Sequence, residues 1–564
     1  MRSSNFQREA SWVFLASLVA LSLLPLAAFG FKTLGSVDGV AEAVGATGSA
    51  QPEALWATLK SALLSESTAK TLRFTLAQAG FSTLFALLLG LPGAYLVAKF
   101  SFPGRKLFLS LAAVPFCLPP LLVVLAFILY YGKTGWFSSL STILGIPKLE
   151  YSGILYTFWG LVLVHAFYNF PLVIQNLGSL WSRLPSSRVS AARTMGASPV
   201  KAFFVGTLPY LLPALLQSAS LIFLFCFFSF TIVLVFGGLA GSTLEVGIYR
   251  ALRFSNDRST ALALAILQTF VALACVGSFA FFSIRSFNKS KGFGAPQERG
   301  RPGLAAGFSI LIYMGFILVF FLGPLASLAV EAFTLRDSRL GAARFGFGNF
   351  ASLVVGLRRP LVTALINSLS IGLVATAAAL VVGFLAALAL TGKKRSSAGG
   401  GKGSELAKSL FLSLPLAVSP AIVSAGWSSI LQGKSIFLII AAAETALVWP
   451  FVAKSLESSL SALELSKREA ARTLGATGLV SVLSIEIPAI LPSVASTAAF
   501  AFSIVAGDVN IPLVLGGGTW ETLPLLLYRL SSSYRFNEAC AVGIVLALLT
   551  SVAFFMKENL DDLP

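Results

Sequence analysis

The sequence predicts an all-α polytopic membrane protein, with about twelve transmembrane helices arranged as two parallel repeats of six. Three observations lead there. The chain is too apolar for a soluble core, apolar runs of spanning length recur along it, and one offset relates its two halves. Of 564 residues, 56% are hydrophobic and 11% charged, against about 25% charged in soluble domains. Mean hydropathy is +0.85. Runs of roughly 20 apolar residues, the length a helix needs to cross a bilayer, include WVFLASLVALSLLPLAAFGF at 12–31 and FSILIYMGFILVFFLGPLASLAV at 308–330.

The first run reads either as a cleaved leader or as a retained anchor, and the many later spans favour the anchor. The first set of spans is expected near 12–31, 74–98, 108–131, 153–177, 208–236 and 259–283. The second is expected near 305–331, 364–391, 408–431, 435–455, 487–515 and 538–556. With the N-terminus inside, Arg2 and Arg8, Lys99, Arg105 and Lys106, and Arg183, Arg188, Arg193 and Lys201 fall in the cytoplasm. So do Arg285, Lys289, Lys291, Arg299 and Arg301, and then Lys393, Lys394, Arg395, Lys402 and Lys408. That distribution follows the positive-inside rule. The exception is the outer segment 332–363, with Arg336, Arg339, Arg344, Arg358 and Arg359, and charge in a longer loop weighs less. The rule accounts for the net charge of +18 without a nucleic-acid partner.

FNKSKGFGAPQERGRPG at 287–303 reads as a cytoplasmic linker between halves 1–286 and 304–564. TGKKRSSAGGGKGSE at 391–405 reads as a flexible cytoplasmic loop. Cys117, Cys226, Cys275 and Cys540 all fall in apolar runs. They show no metal or disulfide spacing, so packing is their expected role.

The repeat is read from residues that common membrane composition would not keep in register. Gly196 pairs with Gly475, 279 positions on (475 − 196). The same offset pairs Pro171 with Pro450, Pro209 with Pro488 and Pro213 with Pro492. It also pairs Gly237 with Gly516, Gly238 with Gly517, Tyr249 with Tyr528 and Arg250 with Arg529. Upstream, Gly90 matches Gly383 at 293, so an insertion separates the blocks in the first half. Six spans per half keep the same orientation, which makes the repeat parallel.

Two polar phrases stand out inside that repeat: VSAARTMGASP at 189–199 and REAARTLGATG at 468–478. Each lies between spans on the basic side, in segments near 183–207 and 457–486. Helix-compatible residues precede each Gly, which permits a turn where a β-carbon would obstruct. The expected form is a short helix-turn-helix, small on one face and charged on the other. Ser190, Ala191, Ala192 and Gly196 in the first copy, and Glu469, Ala470, Ala471 and Gly475 in the second, are the candidate residues for the close approach of a partner.

Glu469-Ala470-Ala471, three residues, Gly475, nine residues, Ile485-Glu486-Ile487-Pro488 resembles the cytoplasmic coupling loop of ABC importer permeases. The first copy departs from it: Ser190 stands for the Glu and Gly206 for the Ile, while Leu208-Pro209 is kept. The resemblance covers nearly the whole chain. It implies a fused type I permease of the binding-protein-dependent group, one polypeptide supplying both membrane halves. LIFLFCFFSFTIVLVFGG…TLEVGIYRAL at 221–252, HAFYNFPL at 165–172 and GD…LGG…ETLPLLLYRLSSSYR at 507–535 are similar to thiamine permeases. Ferric-iron permeases share the fused architecture. The resemblance implies two copies of an ATP-binding subunit at the cytoplasmic face, an extracytoplasmic solute-binding protein, and residence in a bacterial inner membrane with both termini cytoplasmic. It also implies alternating access driven by nucleotide. No cofactor is expected on this chain, and ATP and Mg belong to the partner ATPase. The chain's nearest approach to a phosphate-binding loop, Gly433-Lys434-Ser435, has Ser428 where the first Gly is needed.

Polar residues within spans are candidates for the translocation path, because a carboxylate there costs about 2.5–3.5 kcal/mol on insertion scales. Asp508, Asn510 and the repeat-related Ser229 form one group, with a structural hydrogen bond as the alternative role. His165 and its repeat mate Glu444 form another, with helix packing as the alternative. Trp520 and Tyr528 read as interface-belt aromatics, or as faces for a cation. An ion-coupled secondary transporter is the alternative from another class, and the few intramembrane charges speak against it. A membrane enzyme has one His and no clustered acids or cysteines to work with.

Overall fold

The computed structural model describes residues 23–33, 57, 60–105, 108–109, 118–132, 135–137, 155–238, 241–290, 299–336, 343–355, 359–394, 414–462, 484, 486–516 and 520–561. In chain order its helices begin with α1 Leu23–Thr33, α2 Glu66–Lys99, α3 Pro120–Tyr131, α4 Phe158–Ser182, α5 Ser187–Thr194 and α6 Pro199–Gly206. There follow α7 Leu208–Phe227, α8 Thr231–Phe236, α9 Leu244–Arg253, α10 Arg258–Ser290 and α11 Leu304–Phe333. The rest are α12 Gly348–Val354, α13 Pro360–Lys394, α14 Pro420–Ile430, α15 Ile436–Ala462, α16 Leu491–Gly507, α17 Asn510–Gly516, α18 Leu523–Ser532 and α19 Phe536–Asp561. Every expected span contains a helix, and the chain is a multi-pass membrane protein.

Local chemistry sets several boundaries. The Ser65 side chain accepts from Thr68 N at 3.1 Å, and Glu66 opens α2 with an ion pair to Lys70 at 2.8 Å. The side chain of Thr157 accepts from Gly160 N and starts α4. Pro171 and Pro450 lie inside α4 and α15 at repeat-related places. The linker expectation is corrected at its start: α10 runs on to Ser290, since the first Gly or Pro of the stretch from 287 is Gly292. Residues 291–298, the 395–413 stretch and Cys117 lie outside the described residues. The outer segment expected only as a charged loop contains a hairpin, β1 Thr334–Arg336 with β2 Ala343–Phe345, antiparallel with Leu335 opposite Arg344.

Two expected spans are broken. Near 208–236, α7 ends at Phe227 and α8 starts at Thr231. Near 487–515, α16 ends at Gly507 and α17 starts at Asn510. The second break has a visible cause, since Asp508 leaves helical geometry with ψ 132° and its side chain caps the next helix.

The described residues form two compact units: 60–345, and 1–59 with 346–564. These do not follow the repeat boundary at 287–303. In the first unit, α11 packs on spans the sequence assigns to the other half. Tyr313 donates its hydroxyl to Leu89 O at 2.9 Å, and Tyr131 donates to Phe320 O at 3.0 Å. Phe321 stacks on Phe167 at 5.1 Å and meets Phe170 edge-on at 5.0 Å. Phe320, whose carbonyl Tyr131 reaches, lies in a π turn at Leu318–Leu322. In the second unit, Leu23 and Leu26 of α1 pack against the apolar core of α13, α15 and α16. The opening helix of each repeat is thus packed with the later spans of the other.

Within each unit the same crossing recurs. A β-carbon on Gly90 of α2 would stand 2.5 Å from Val173 Cβ and 2.9 Å from Phe170 O of α4. One on Gly383 of α13 would stand 2.6 Å from Val452 Cγ1 of α15. Val173 and Val452 are 279 apart, and the two glycines 293. Hydrogen bonds repeat with equal fidelity. Leu244 N donates to Thr75 Oγ1 at 3.1 Å, and Leu523 N to Ser368 Oγ at 2.8 Å. Asn176 Nδ2 donates to Ser218 Oγ at 3.3 Å, and the Ser455 and Thr497 hydroxyls lie 2.7 Å apart. The offsets read from prolines and glycines are therefore also offsets between contacts.

Gly90→Val is expected to lose roughly 1–3 kcal/mol of stability, the usual cost of overpacking. Gly80→Ala, on the same helix with nothing within 4 Å of a new β-carbon, is expected to be neutral or slightly stabilising, since Ala favours a helix over Gly. Thermal unfolding of the purified protein, followed by size-exclusion chromatography, checks both. Equal midpoints for the two variants contradict the close crossing.

Candidate functional site

The first coupling segment folds as expected in outline. Helices α5 and α6 are joined at Met195–Ser198. Gly196 has φ +85°, a conformation costly for residues with a β-carbon. Gly196 N bonds to Arg193 O and Ala197 N to Ala192 O, both at 3.0 Å. That pair of bonds is the glycine-dependent helix stop of the Schellman type. The Ser198 side chain then accepts from Lys201 N, with Pro199 in the first turn of α6.

The faces of this pair differ from expectation. Ala192 and Ala202 are buried, and Ser190 and Ala191 are exposed. Ala192 therefore serves packing within the loop rather than the approach of a partner. The exposed side carries apolar residues beside the expected charged ones: Met195 is 82% exposed, Val200 66%, Phe204 56% and Val205 61%, and Arg193 and Lys201 are exposed as well. Gly206 also gains a reason. A β-carbon there would lie 3.3 Å from Val189 Cγ2 and 3.4 Å from Arg188 O, so the first copy is closed too tightly for the Ile expected from the pattern. The Arg188 guanidinium lies 4.0 Å over the Tyr210 ring, tying α5 to the start of α7. Glu469, Ala470, Ala471, Gly475 and Ile485 lie outside the described residues.

The intramembrane candidates resolve into two groups, one in each unit. In the first unit, His165 is 1% exposed, with Nδ1 3.0 Å from both Gln78 Nε2 and Leu161 O. Asn169 Nδ2 donates to His165 O at 2.9 Å and reaches Cys226 Sγ at 3.5 Å. Gln78 Nε2 also reaches Ser82 Oγ at 3.4 Å. The network thus joins α2, α4 and α7. Gln78 Oε1, His165 Nε2 and Asn169 Oδ1 have no hydrogen-bond partner among the described residues. Ser229, in the break before α8, accepts at its carbonyl from Thr243 Oγ1 at 3.3 Å.

In the second unit, Glu444 of α15 is 1% exposed and hydrogen-bonds to the Asp508 carboxyl. Backbone N–H groups of Val509, Asn510 and Ile511 also converge on Asp508, the last at 2.9 Å. A carboxyl–carboxyl hydrogen bond requires a proton. Glu444 Oε1 and Asn510 Oδ1 have no partner among the described residues. His165 and Glu444 thus each find partners within their own unit. Trp520 packs on Phe437 at 5.5 Å, which commits its ring to the core.

The two groups are not copies of one another. Gln78, Ser82, Asn169 and Cys226 have Ile371, Ala375, Val448 and Val505 as their repeat mates, all in the apolar core of the second unit. The sequence reading missed Gln78 and Asn169, and it missed a polar face at the end of α4: Gln175, Asn176, Ser179 and Arg183, facing Gln217 of α7. The available signal was amide residues at helical spacing inside a span.

The family described as the inner membrane component of binding-protein-dependent transport systems matches residues 83–290. The thiamine transport system permease protein ThiP of Brucella abortus is 28% identical over 492 residues, covering 85% of each chain. The protein of that name from Escherichia coli is 27% identical over 507 residues, covering 86% of this chain and 88% of the relative. A solved bacterial ABC transporter for import of the acidic polysaccharide alginate overlaps 46% of this chain at 16% identity, with a TM-score of 0.34, too low to bear on the fold. The chain is a fused permease of the binding-protein-dependent type. This permease is not an enzyme. It is the inner-membrane component of a transporter complex that also contains an ATPase and a binding protein.

Asp508→Ala removes the cap of α17 and the hydrogen-bond partner of Glu444, and is expected to cost at least ~1 kcal/mol. Asp508→Asn keeps a capping oxygen, and Glu444→Gln keeps a hydrogen-bonding group, so both are expected to lose less. The order of thermal midpoints in detergent checks this. An Asp508→Ala midpoint equal to wild type contradicts the capping role.

Proposed function

We propose that this permease moves thiamine, or a related pyrimidine compound, inward by alternating access. Two copies of a separate ATP-binding subunit drive it, one on each coupling segment. The observation that carries the reading is similarity to thiamine permeases along 85% of both chains, rather than over one half. The basic residues around α5 and α6 support placing both coupling segments, and both termini, on the cytoplasmic side. The apolar patch of Met195, Val200, Phe204 and Val205 supports α5 and α6 as the surface that an ATPase covers, since soluble faces seldom leave such side chains together in water. Ser190 and Ala191 border that patch. Glu469, Ala470, Ala471 and Gly475 have the corresponding role in the second half.

In this reading the Glu444–Asp508 pair, with Asn510 beside it, is the station that attracts a cationic solute. His165 and Ser229 hold the corresponding places in the first half. The ATP and Mg that power the cycle bind the partner subunit.

Reconstitution in liposomes with the ATPase and the binding protein tests the reading through uptake of radiolabelled thiamine. Uptake is expected to need all three components and to fall to background in Gly196→Val, with the protein still in the membrane. Uptake that persists without the ATPase contradicts an ATP-driven importer, and ferric iron transported in place of thiamine contradicts the substrate.

A further inference from the structure

Gln175, Asn176, Ser179 and Arg183 occupy one side of the end of α4, at positions i, i+1, i+4 and i+8, and all four are exposed. A polar stripe on a spanning helix does not lie against acyl chains. It faces water or a ligand. With Leu180, Ala214 and Gln217, and Ser286 of α10, the stripe lines an open cavity of about 450 Å³, within the range of small-ligand sites. Its walls are tied together. Asn176 Nδ2 donates to Ser218 Oγ at 3.3 Å, and Gln217 Nε2 donates to Ser283 Oγ at 3.4 Å.

The lining combines a guanidinium, three amides and two hydroxyls, with no carboxylate. Among the described residues no carboxylate lies within ion-pair distance of Arg183. A guanidinium offers a planar fork of five N–H donors that matches phosphate oxygens in pairs. Gln175, Ser179 and Ser286 add donors around it.

The second half lacks this set. The repeat mates of Arg183, Gln217 and Gln175 are Ala462, Ser496 and Lys454, and Glu457 acts electrostatically on Lys454. Both halves keep the Asn176–Ser218 type of bond, so that bond belongs to the fold. The guanidinium and its amides belong to one half only, whereas the second half keeps hydroxyls at Ser455, Ser458 and Ser496 and an ammonium at Lys454.

We propose that this cavity binds a phosphate group, gripped by Arg183 and hydrogen-bonded by Gln175, Ser179 and Ser286. The group belongs to an acidic phospholipid headgroup or to a soluble phosphate ester, and the same donors serve either. Arg183 stands four residues before α5, so an occupied site braces α4 against α7 and α10 where the coupling helices begin. The proposal is independent of which solute is transported.

The test uses the full chain in nanodiscs. In phosphatidylcholine discs, equilibrium dialysis measures binding of radiolabelled inorganic phosphate. In discs that also contain phosphatidylglycerol, native mass spectrometry measures lipid retained by the protein. Saturable phosphate binding assigns a soluble ester, and phosphatidylglycerol retention alone assigns a lipid headgroup. Either is expected to weaken about tenfold or more in Arg183→Gln, which loses a charged hydrogen-bond partner. Gln175→Glu keeps Arg183 but places a carboxylate in the cavity, and is expected to weaken binding too. Wild-type protein that retains neither probe overturns the proposal. So does retention unchanged in both variants, or a cavity protected from labelling at Ser179→Cys by thiamine but not by phosphate.

Discussion

The close crossing of α2 on α4, and of α13 on α15, is the constraint on which the rest depends. Where Gly90 meets Val173 and Gly383 meets Val452, there is no room for a β-carbon. In a membrane, apolar burial does not drive helices together, so packing at small residues must do it. The crossing fixes the height at which α4 and α15 stand. That height in turn places Asn176 opposite Ser218 and Ser455 opposite Thr497. On α2 and α13, Thr75 and Ser368 take up the first free amides of α9 and α18. Groups that lipid cannot satisfy are thus met by hydroxyls from a neighbouring span.

On this shared frame the two halves carry different chemistry. The first holds a hydrogen-bonded network around His165, and the second a carboxyl pair set at a helix break. Duplication supplied two equal scaffolds, and each core was then filled independently. The asymmetry extends to the coupling segments, where Gly206 closes α6 onto α5 and the repeat-related residue is Ile485. It extends also to the polar cavity beside Arg183.

Much of this was legible in the sequence. Prolines and glycines in register announced the duplication, and the Gly196 turn followed from the phrase around it. The offset of 293 joining Gly90 to Gly383 became a pair of equivalent contacts. Other features were hidden for physical reasons. One apolar span resembles another, so nothing in Tyr313, Phe316 or Phe321 named Phe167 and Leu89 as neighbours across the repeat boundary. Repeat arithmetic joined His165 to Glu444, but equivalence places two residues in matching environments rather than in contact. Asp508 was visible as a costly carboxylate, whereas its partner came from a helix packed beside it. The break at Asp508 was masked by the surrounding apolar run.

The central claim is that one set of span-to-span contacts has been built twice in this chain. Cysteine cross-linking tests it most directly, in a chain whose native cysteines are replaced by alanine. Asn176→Cys with Ser218→Cys reports the first half, and Ser455→Cys with Thr497→Cys the second. In native membranes both pairs are expected to cross-link with the same short reagent and to similar extents. A cross-link in one half with none in the other would contradict the account.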